Sequence, residues 1–272
     1  MGAPSPLGAR HQKVTRLRRL LARRSTRRDE RAFVIEGETL VAEALAAGLA
    51  IEAVFIAAQP GPPPAVVALA AEAGHRVHIL APGVLERVAG TVSPQPVLAI
   101  AGACDVPLDA VDDARIVVVC AEVRDPGNAG NIARSAEASG AGAIVFCTGS
   151  VDPFNPKTVR SSAGSLFHVP VVSGGDPVEV LERMGGWGYR RLGTIASGGD
   201  PYDEIDFADK IAVVVGNEAH GLSPALDHQI DQRVTIPMAG RAESLNVSMA
   251  AGLICFEALR QRRQACRATS TP

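Results

Sequence analysis

Aromatic side chains are scarce in this sequence: 4% of 272 residues, with one Trp and two Tyr, against a hydrophobic content of 47%. A core of this composition is packed from Ala, Val and Leu, as in α/β proteins, and the length suffices for one large or two modest domains. Apolar runs such as Ile211–Val215 are far too short to span a bilayer. The N-terminus, Met1 to Arg10, lacks the apolar segment of a signal peptide, so a cytoplasmic location is expected. Cys104, Cys120, Cys147, Cys255 and Cys266 are odd in number and widely spaced, with no C-x-x-C pair. They read as reduced, mostly buried thiols rather than disulfides or metal ligands. No internal repeat is present, and no low-complexity stretch beyond a proline patch at 60–64.

A net charge of −2 hides an asymmetry. Ten Lys/Arg fall between Arg10 and Arg31 against only Asp29 and Glu30, a balance of +8; the remaining 17 basic and 27 acidic groups leave −10. Such a run is an electrostatic handle for a polyanion. Val14, Leu17, Leu20 and Leu21 recur at helical spacing, which predicts an amphipathic helix crowned by the basic residues. A solvated helix face with no partner is the alternative. Residues 1–31 are expected to form a basic N-terminal arm or helix.

Strands predicted at 32–35, 51–57, 77–80 and 97–101 alternate with helices at 38–47, 65–73 and near 84–88, a small α/β domain over residues 32–102. Residues 103–113, with Pro107 and several aspartates, read as a linker. A larger domain, 114–272, opens with Ile116-Val117-Val118-Val119, whose unbroken apolar character predicts a fully buried strand. Further strands at 143–146, 169–172, 189–195, 211–215 and 233–236 alternate with helices at 131–139, 158–165, 177–184, 224–230 and the C-terminus. That alternation predicts a parallel sheet.

Three polar, small-residue loops each follow a short β-branched run. They should therefore lie at the carboxyl ends of parallel strands, where open α/β sheets bind ligands. The first contains N-x-G-N-I-x-R from Asn128 to Arg134, the second G-N-E-x-x-G-L from Gly216 to Leu222. The third contains Ile236-Pro237-Met238, then E-S-L-N-V-S from Glu243 to Ser248. A dinucleotide fold is disfavoured: the loop at 127–130 is not G-x-G-x-x-G, and the next strand ends at Cys147-Thr148 with no acid for an adenosine ribose. The three motifs, in this order, resemble those of the SpoU/TrmH family of S-adenosylmethionine-dependent RNA ribose 2′-O-methyltransferases. The likeness runs from about Ile116 to the C-terminus, and the N-terminal third is similar to the small RNA-binding domain that many members carry.

The resemblance implies an α/β fold with a SPOUT-type parallel sheet whose C-terminal loops are tied in a trefoil knot, a rarity among folded chains. It also implies a homodimer with the site near the subunit interface, and methyl transfer to a ribose 2′-hydroxyl of RNA, with 23S ribosomal RNA favoured. A transfer-RNA substrate and a non-catalytic ribosome-assembly role are the alternatives. The cofactor, S-adenosylmethionine, brings its own leaving group, so the chemistry requires alignment and a partly deprotonated hydroxyl rather than a metal.

Residue by residue, the family's motif arginine falls on Arg134, placed at the target ribose and proposed there as general base. A guanidinium stays protonated to beyond about pH 12, so anchoring the adjoining phosphate and stabilising a developing alkoxide suits it better. Asn128 orients the hydroxyl, or merely forms a turn. Gly216 and Gly221 let the backbone approach a ligand, with Asn217 and Glu218 supporting the site; helix capping is the alternative for Glu218. Thr194, Ile236 and Leu245 are assigned to the cofactor. Ser244 and Asn246 are assigned to the substrate, although either is equally an N-cap of the terminal helix. His220 has no motif role. Arg160, with Lys157 nearby, resembles an RNA-contacting segment, and Arg18, Arg19, Arg23 and Arg24 are candidate phosphate contacts with salt-dependent binding. Leu253, Ile254 and Phe256 read as core or dimer interface, and no chemistry emerges for Glu36-Gly37-Glu38.

Overall fold

The computed structural model describes residues 5–58, 63–89 and 95–269. Most of the proline patch lies outside them. The chain forms two compact units: one runs through Cys104 and includes Phe154–Phe167, the other comprises Asp105–Pro153 and the chain from His168 onward.

Helix α1 (Gln12–Ala22) forms as its apolar spacing predicts. Its Val14, Leu17 and Leu20 are fully buried against Val34, Phe55 and Leu98. Helix α1 is thus no detached arm, because an apolar stripe that wide is stable only when covered. Leu7 adds to this by pairing with the sheet, its amide donating to the Ile79 carbonyl at 2.7 Å. The second half of the basic run makes its own helix, α2 (Arg24–Glu30). There Arg27 is buried and donates to the carbonyls of Leu20 (2.7 Å) and Leu21 (3.3 Å), closing the last turn of α1. The sheet holds β1 (Ala32–Glu36), β2 (Ile51–Ala57), β3 (Arg76–Leu80) and β4 (Val97–Gly102) in the order β1-β4-β2-β3. Only β2 and β3 run parallel; β4 is antiparallel to both neighbours. Helices α3 (Glu38–Ala46), α4 (Ala65–Glu72) and α5 (Val84–Ala89) complete this layer pair.

The second unit is built on seven parallel strands in the order β7-β6-β5-β10-β8-β11-β9. They are β5 (Ile116–Cys120), β6 (Ala143–Phe146), β7 (Val171–Ser173), β8 (Arg190–Thr194), β9 (Asp200–Pro201), β10 (Ile211–Val215) and β11 (Gln232–Thr235). Its helices are α6 (Pro126–Ala138), α8 (Pro177–Gly186), α9 (Pro224–Asp227) and α10 (Val247–Thr269), while α7 (Pro156–Ser161) belongs to the first unit. Strands β5, β6 and β10 are buried at every position, as unbroken apolar runs require. The expected linker is instead structured: Val106 donates to the Val171 carbonyl at 2.8 Å, and buried Val111 accepts from the Tyr189 hydroxyl at 2.8 Å.

Helix α7 leaves the larger domain read from the sequence and packs with the N-terminal unit. Phe154 lies 4.8 Å, ring to ring, from Phe33, and Arg160 Nη1 is 3.5 Å from Glu36 Oε2. No disulfide joins the five cysteines; Cys120, Cys147 and Cys255 are buried. Burial pushes the Cys147 and Cys255 thiols up to about 12, which leaves them inert. No helix among the described residues is long and apolar enough to cross a membrane.

Because Leu17 is fully buried in the N-terminal core, Leu17→Ala is expected to destabilise that unit by about 2–5 kcal/mol. Chemical denaturation followed by far-UV circular dichroism measures it; a loss below about 0.5 kcal/mol, the range of a surface change, would mean that α1 is a detachable arm.

Candidate active site

Strands β5, β10, β8 and β11 are neighbours, so their carboxyl ends bring the three loops together. The first loop is shorter than expected. Asp125 is the N-cap of α6, accepting from the Asn128 amide at 2.8 Å, and Pro126 takes the first helical position. Asn128 therefore sits in the first helical turn, on the same helix as Arg134.

Glu218 ties the second loop to that turn. Its carboxylate accepts from the amides of Arg124 (3.3 Å) and Asp125 (3.1 Å) and from Asn128 Nδ2 (3.1 Å). Glu218 does serve a helix start, that of α6 rather than the one following Leu222. Asn128 Oδ1 accepts from Asn246 Nδ2 at 2.9 Å. Asn246 Oδ1 accepts from the amide (2.9 Å) and the hydroxyl (2.7 Å) of Ser248, so Asn246 both caps α10 and links the third loop. Partial burial pushes the Glu218 carboxyl up, but the hydrogen bonds from Asn128, Asp125 and Arg124 outweigh it and hold the group below its ordinary value.

Loop two is shaped internally by Asn217. Its Oδ1 accepts from the amides of Ala219 (3.0 Å) and His220 (3.2 Å), while its Nδ2 donates to the Glu122 carbonyl at 3.3 Å. A Cβ on Gly216 would lie 2.4 Å from the Gly221 carbonyl oxygen, and Gly221 has a φ of 67°. The first position demands glycine and the second favours it.

Thr194, Gly216, Asn217, Gly221, Ile236 and Leu245 all line one cavity of about 450 Å³, the size of a small-molecule site. Glu218 and Ser244 border it as well. Its apolar walls, including Leu222, Val234 and Ile254, suit a planar heteroaromatic ring, and the Gly216 backbone supplies the close approach. An adenosyl cofactor fits this donor set. Ile254 was legible only as a buried helix position, and Ser248 was missed. Its serine type suits a helix N-terminus, but its bond to Asn246 leaves no mark in the sequence.

Arg134 is exposed, has no side-chain partner among the described residues and does not line that cavity. It borders a second hollow of about 500 Å³ with Ser248 and with Met249, Leu253 and Phe256 of α10. Those three are 57%, 40% and 48% exposed. The hydrogen-bonded chain from Glu218 to Ser248 joins the two hollows. The RNA candidates fall in the N-terminal unit. Arg18 donates to the Ala9 carbonyl at 2.9 Å, Arg19 pairs with Glu30 at 2.6 Å, and Arg23, Arg24 and Lys157 are exposed. Arg160 engages Glu36. Among the described residues, no group of three His, Cys, Asp or Glu is placed to hold a metal ion.

The SpoU rRNA methylase family model matches residues 115–256, and a model of the MRM3-like substrate binding domain matches residues 11–99. The chain belongs to the SpoU rRNA methylase family. Among its relatives is the 23S rRNA (guanosine(2553)-2′-O)-methyltransferase RlmP of Bacillus subtilis, 35% identical over 91% of this chain and 96% of that protein. The 23S rRNA (uridine(2479)-2′-O)-methyltransferase of Streptomyces viridochromogenes is 41% identical over 53% of this chain and 52% of its own length. The crystal structure of the SpoU methyltransferase AviRb from Streptomyces viridochromogenes with the cofactor AdoMet superposes with a TM-score of 0.81. It is 30% identical and covers 93% of this chain and all of that one.

In this SpoU family member Glu218→Gln is expected to destabilise the fold modestly, by under about 1 kcal/mol given its exposure. The folded carboxyl titrates below its unfolded value, so the wild-type advantage is full above the unfolded value and fades as pH falls through the folded one. Denaturation midpoints of both proteins from pH 7 to pH 3 test this; a gap that widens on acidification would refute the network.

Proposed function

We propose that this protein transfers a methyl group from S-adenosylmethionine to a ribose 2′-hydroxyl of RNA, and that its substrate is 23S ribosomal RNA. The observation that carries the reading is the cavity of about 450 Å³, bordered by hydrogen-bonded loops and joined through Ser248 to the hollow holding Arg134. Ribosomal rather than transfer RNA is supported by RlmP, matched over 96% of its length, and by the substrate-binding domain model at residues 11–99. The cytoplasm is the compartment where such a substrate is met.

When bound, the cofactor supplies a methyl carried on a positively charged sulfonium. This chain's residues then have three tasks. Gly216, Gly221, Ile236 and Leu245 enclose the adenosyl group and exclude water. Asn128 and Asn246, locked together, hold the first and third loops at fixed spacing, so that Ser244 is presented to the hydroxyl. Arg134 contributes an unpaired, permanently charged fork at the helix surface, suited to a phosphate and to the negative charge that develops on the 2′-oxygen. Arg160 and Lys157, with the exposed Arg18, Arg23 and Arg24, contribute RNA contacts in the N-terminal unit.

Met249, Leu253 and Phe256 lie on one face of α10, at i, i+4 and i+7. A second copy of the chain covering this face would bury three large apolar side chains and place Arg134 at a subunit boundary. The trefoil knot implied by the family motifs belongs to the same proposal.

Labelled methyl is expected in protein-free 23S ribosomal RNA, and not in transfer RNA or in DNA of the same sequence, which lacks the 2′-hydroxyl. Transfer confined to transfer RNA would contradict the substrate, and none to any RNA the activity. Arg134→Ala should lower kcat about 100-fold or more and leave cofactor affinity within a few-fold; near-normal turnover would remove Arg134 from the chemistry. Leu253→Asp with Phe256→Asp should yield a monomer by analytical ultracentrifugation, and a persisting dimer would place the interface elsewhere.

A further inference from the structure

Four arginines of the basic run of α1 and α2 are answered within the N-terminal unit. Arg16 reaches Glu30 and Glu52, each at 2.6 Å; Arg19 also reaches Glu30; Arg28 pairs with Asp29 at 3.0 Å; and Arg27 is buried on two carbonyls. Paired arginines have little charge left to offer a polyanion.

The opposite holds where the start of α1 meets β3, the edge strand of the sheet. Lys13 Nζ lies 2.8 Å from His78 Nε2. An ammonium has no lone pair, so His78 accepts through Nε2 and carries its proton on Nδ1. Arg76 is two residues earlier on β3 and shares a face with His78. The His78 ring rests on Phe55, centroid to centroid 5.3 Å, which fixes its position. His11, at the N-cap of α1, completes the group. Burial, and then the charges of Lys13, His11 and Arg76, push the His78 imidazole below its ordinary value. The carboxylate of β2, Glu52, is taken by Arg16. Helix α5, which packs on α1, adds Glu86 and Arg87, and no acid contributes to the His78 shift. Lys13, Arg76 and His11 are exposed, and neither Lys13 nor Arg76 has a carboxylate partner among the described residues.

We propose that Lys13, Arg76 and His78 form a phosphate-binding site for the RNA substrate on the N-terminal unit, apart from the paired arginines that follow Lys13 on α1 and α2. The assignment rests on the RNA methyltransferase reading. A phosphate placed among these groups replaces the His78 contact of Lys13 and meets two permanent cations. It also favours the imidazolium, since an anion beside a histidine raises its pKa. RNA affinity is then greatest below the free-state pKa of His78 and declines as pH rises towards the bound-state value.

The test is filter binding of protein-free 23S ribosomal RNA across salt and pH. Lys13→Gln and Arg76→Gln are each expected to raise Kd about 3–10-fold at 0.1 M salt and to lower the log–log salt slope by about one. Arg28→Gln, whose charge is answered by Asp29, should change Kd by less than about twofold. His78→Phe keeps the packing on Phe55 and should flatten the pH dependence. Unchanged thermal unfolding and cofactor affinity show that the variants are folded. An unaltered Kd and slope in the Lys13/Arg76 double variant, with wild-type transfer intact, would overturn the site alone. An Arg28→Gln effect as large as theirs would do the same, whereas wild-type protein that neither binds nor methylates RNA would overturn the functional reading with it.

Discussion

The site depends on a chain of hydrogen bonds that runs from Glu218 through Asn128 to Asn246 and Ser248. Its four members come from the segments after three different strands, β10, β5 and β11, and loops left alone would sample many geometries at a cost of about 1–2 kcal/mol per ordered residue. Here the ordering is done in advance by amide and carboxylate groups that find their partners in each other. Glu218 is held ionised by three donors, which suits the helix start it faces. The same bonds leave Ser244, Arg134 and the cavity walls free for ligands.

The sheet makes this possible. Strand β10 lies between β5 and β8, both earlier in the chain, and delivers the Gly216–Gly221 turn to the middle of the ligand-binding edge. Gly216 has no room for a side chain against the Gly221 carbonyl, so the turn is fixed by contact between two backbones. Arg134 stands outside this enclosure on an exposed helix face, beside three uncovered apolar side chains. That division separates a half-open cavity of small-molecule size from a more open hollow on the helix surface.

Much of this was legible in the sequence. Strands 51–57 and 211–215 match β2 and β10 residue for residue, because unbroken or alternating β-branched runs have few other places to go. Every residue assigned to the cofactor lines the cavity, since motif spacing carries the loop positions with it. The Asn128–Glu218 and Asn128–Asn246 bonds were not legible, as the partners are 90 and 118 residues apart. Nor was the fate of the basic run: helical periodicity announced an apolar face on α1 without saying what would cover it, and charge counting could not distinguish a paired arginine from an open one. The excursion of α7 into the N-terminal unit escaped for the same reason, its anchor being Phe154 on Phe33.

The most direct test of the account is the chemical position of the transferred methyl. Wild-type protein would be incubated with labelled S-adenosylmethionine and protein-free 23S ribosomal RNA, and the product hydrolysed in alkali. A 2′-O-methyl blocks the neighbouring phosphodiester, so the account predicts all label in one alkali-resistant dinucleotide. Label released as a mononucleotide methylated on its base would contradict it, because the same pocket and the same arginine would then be serving a different acceptor.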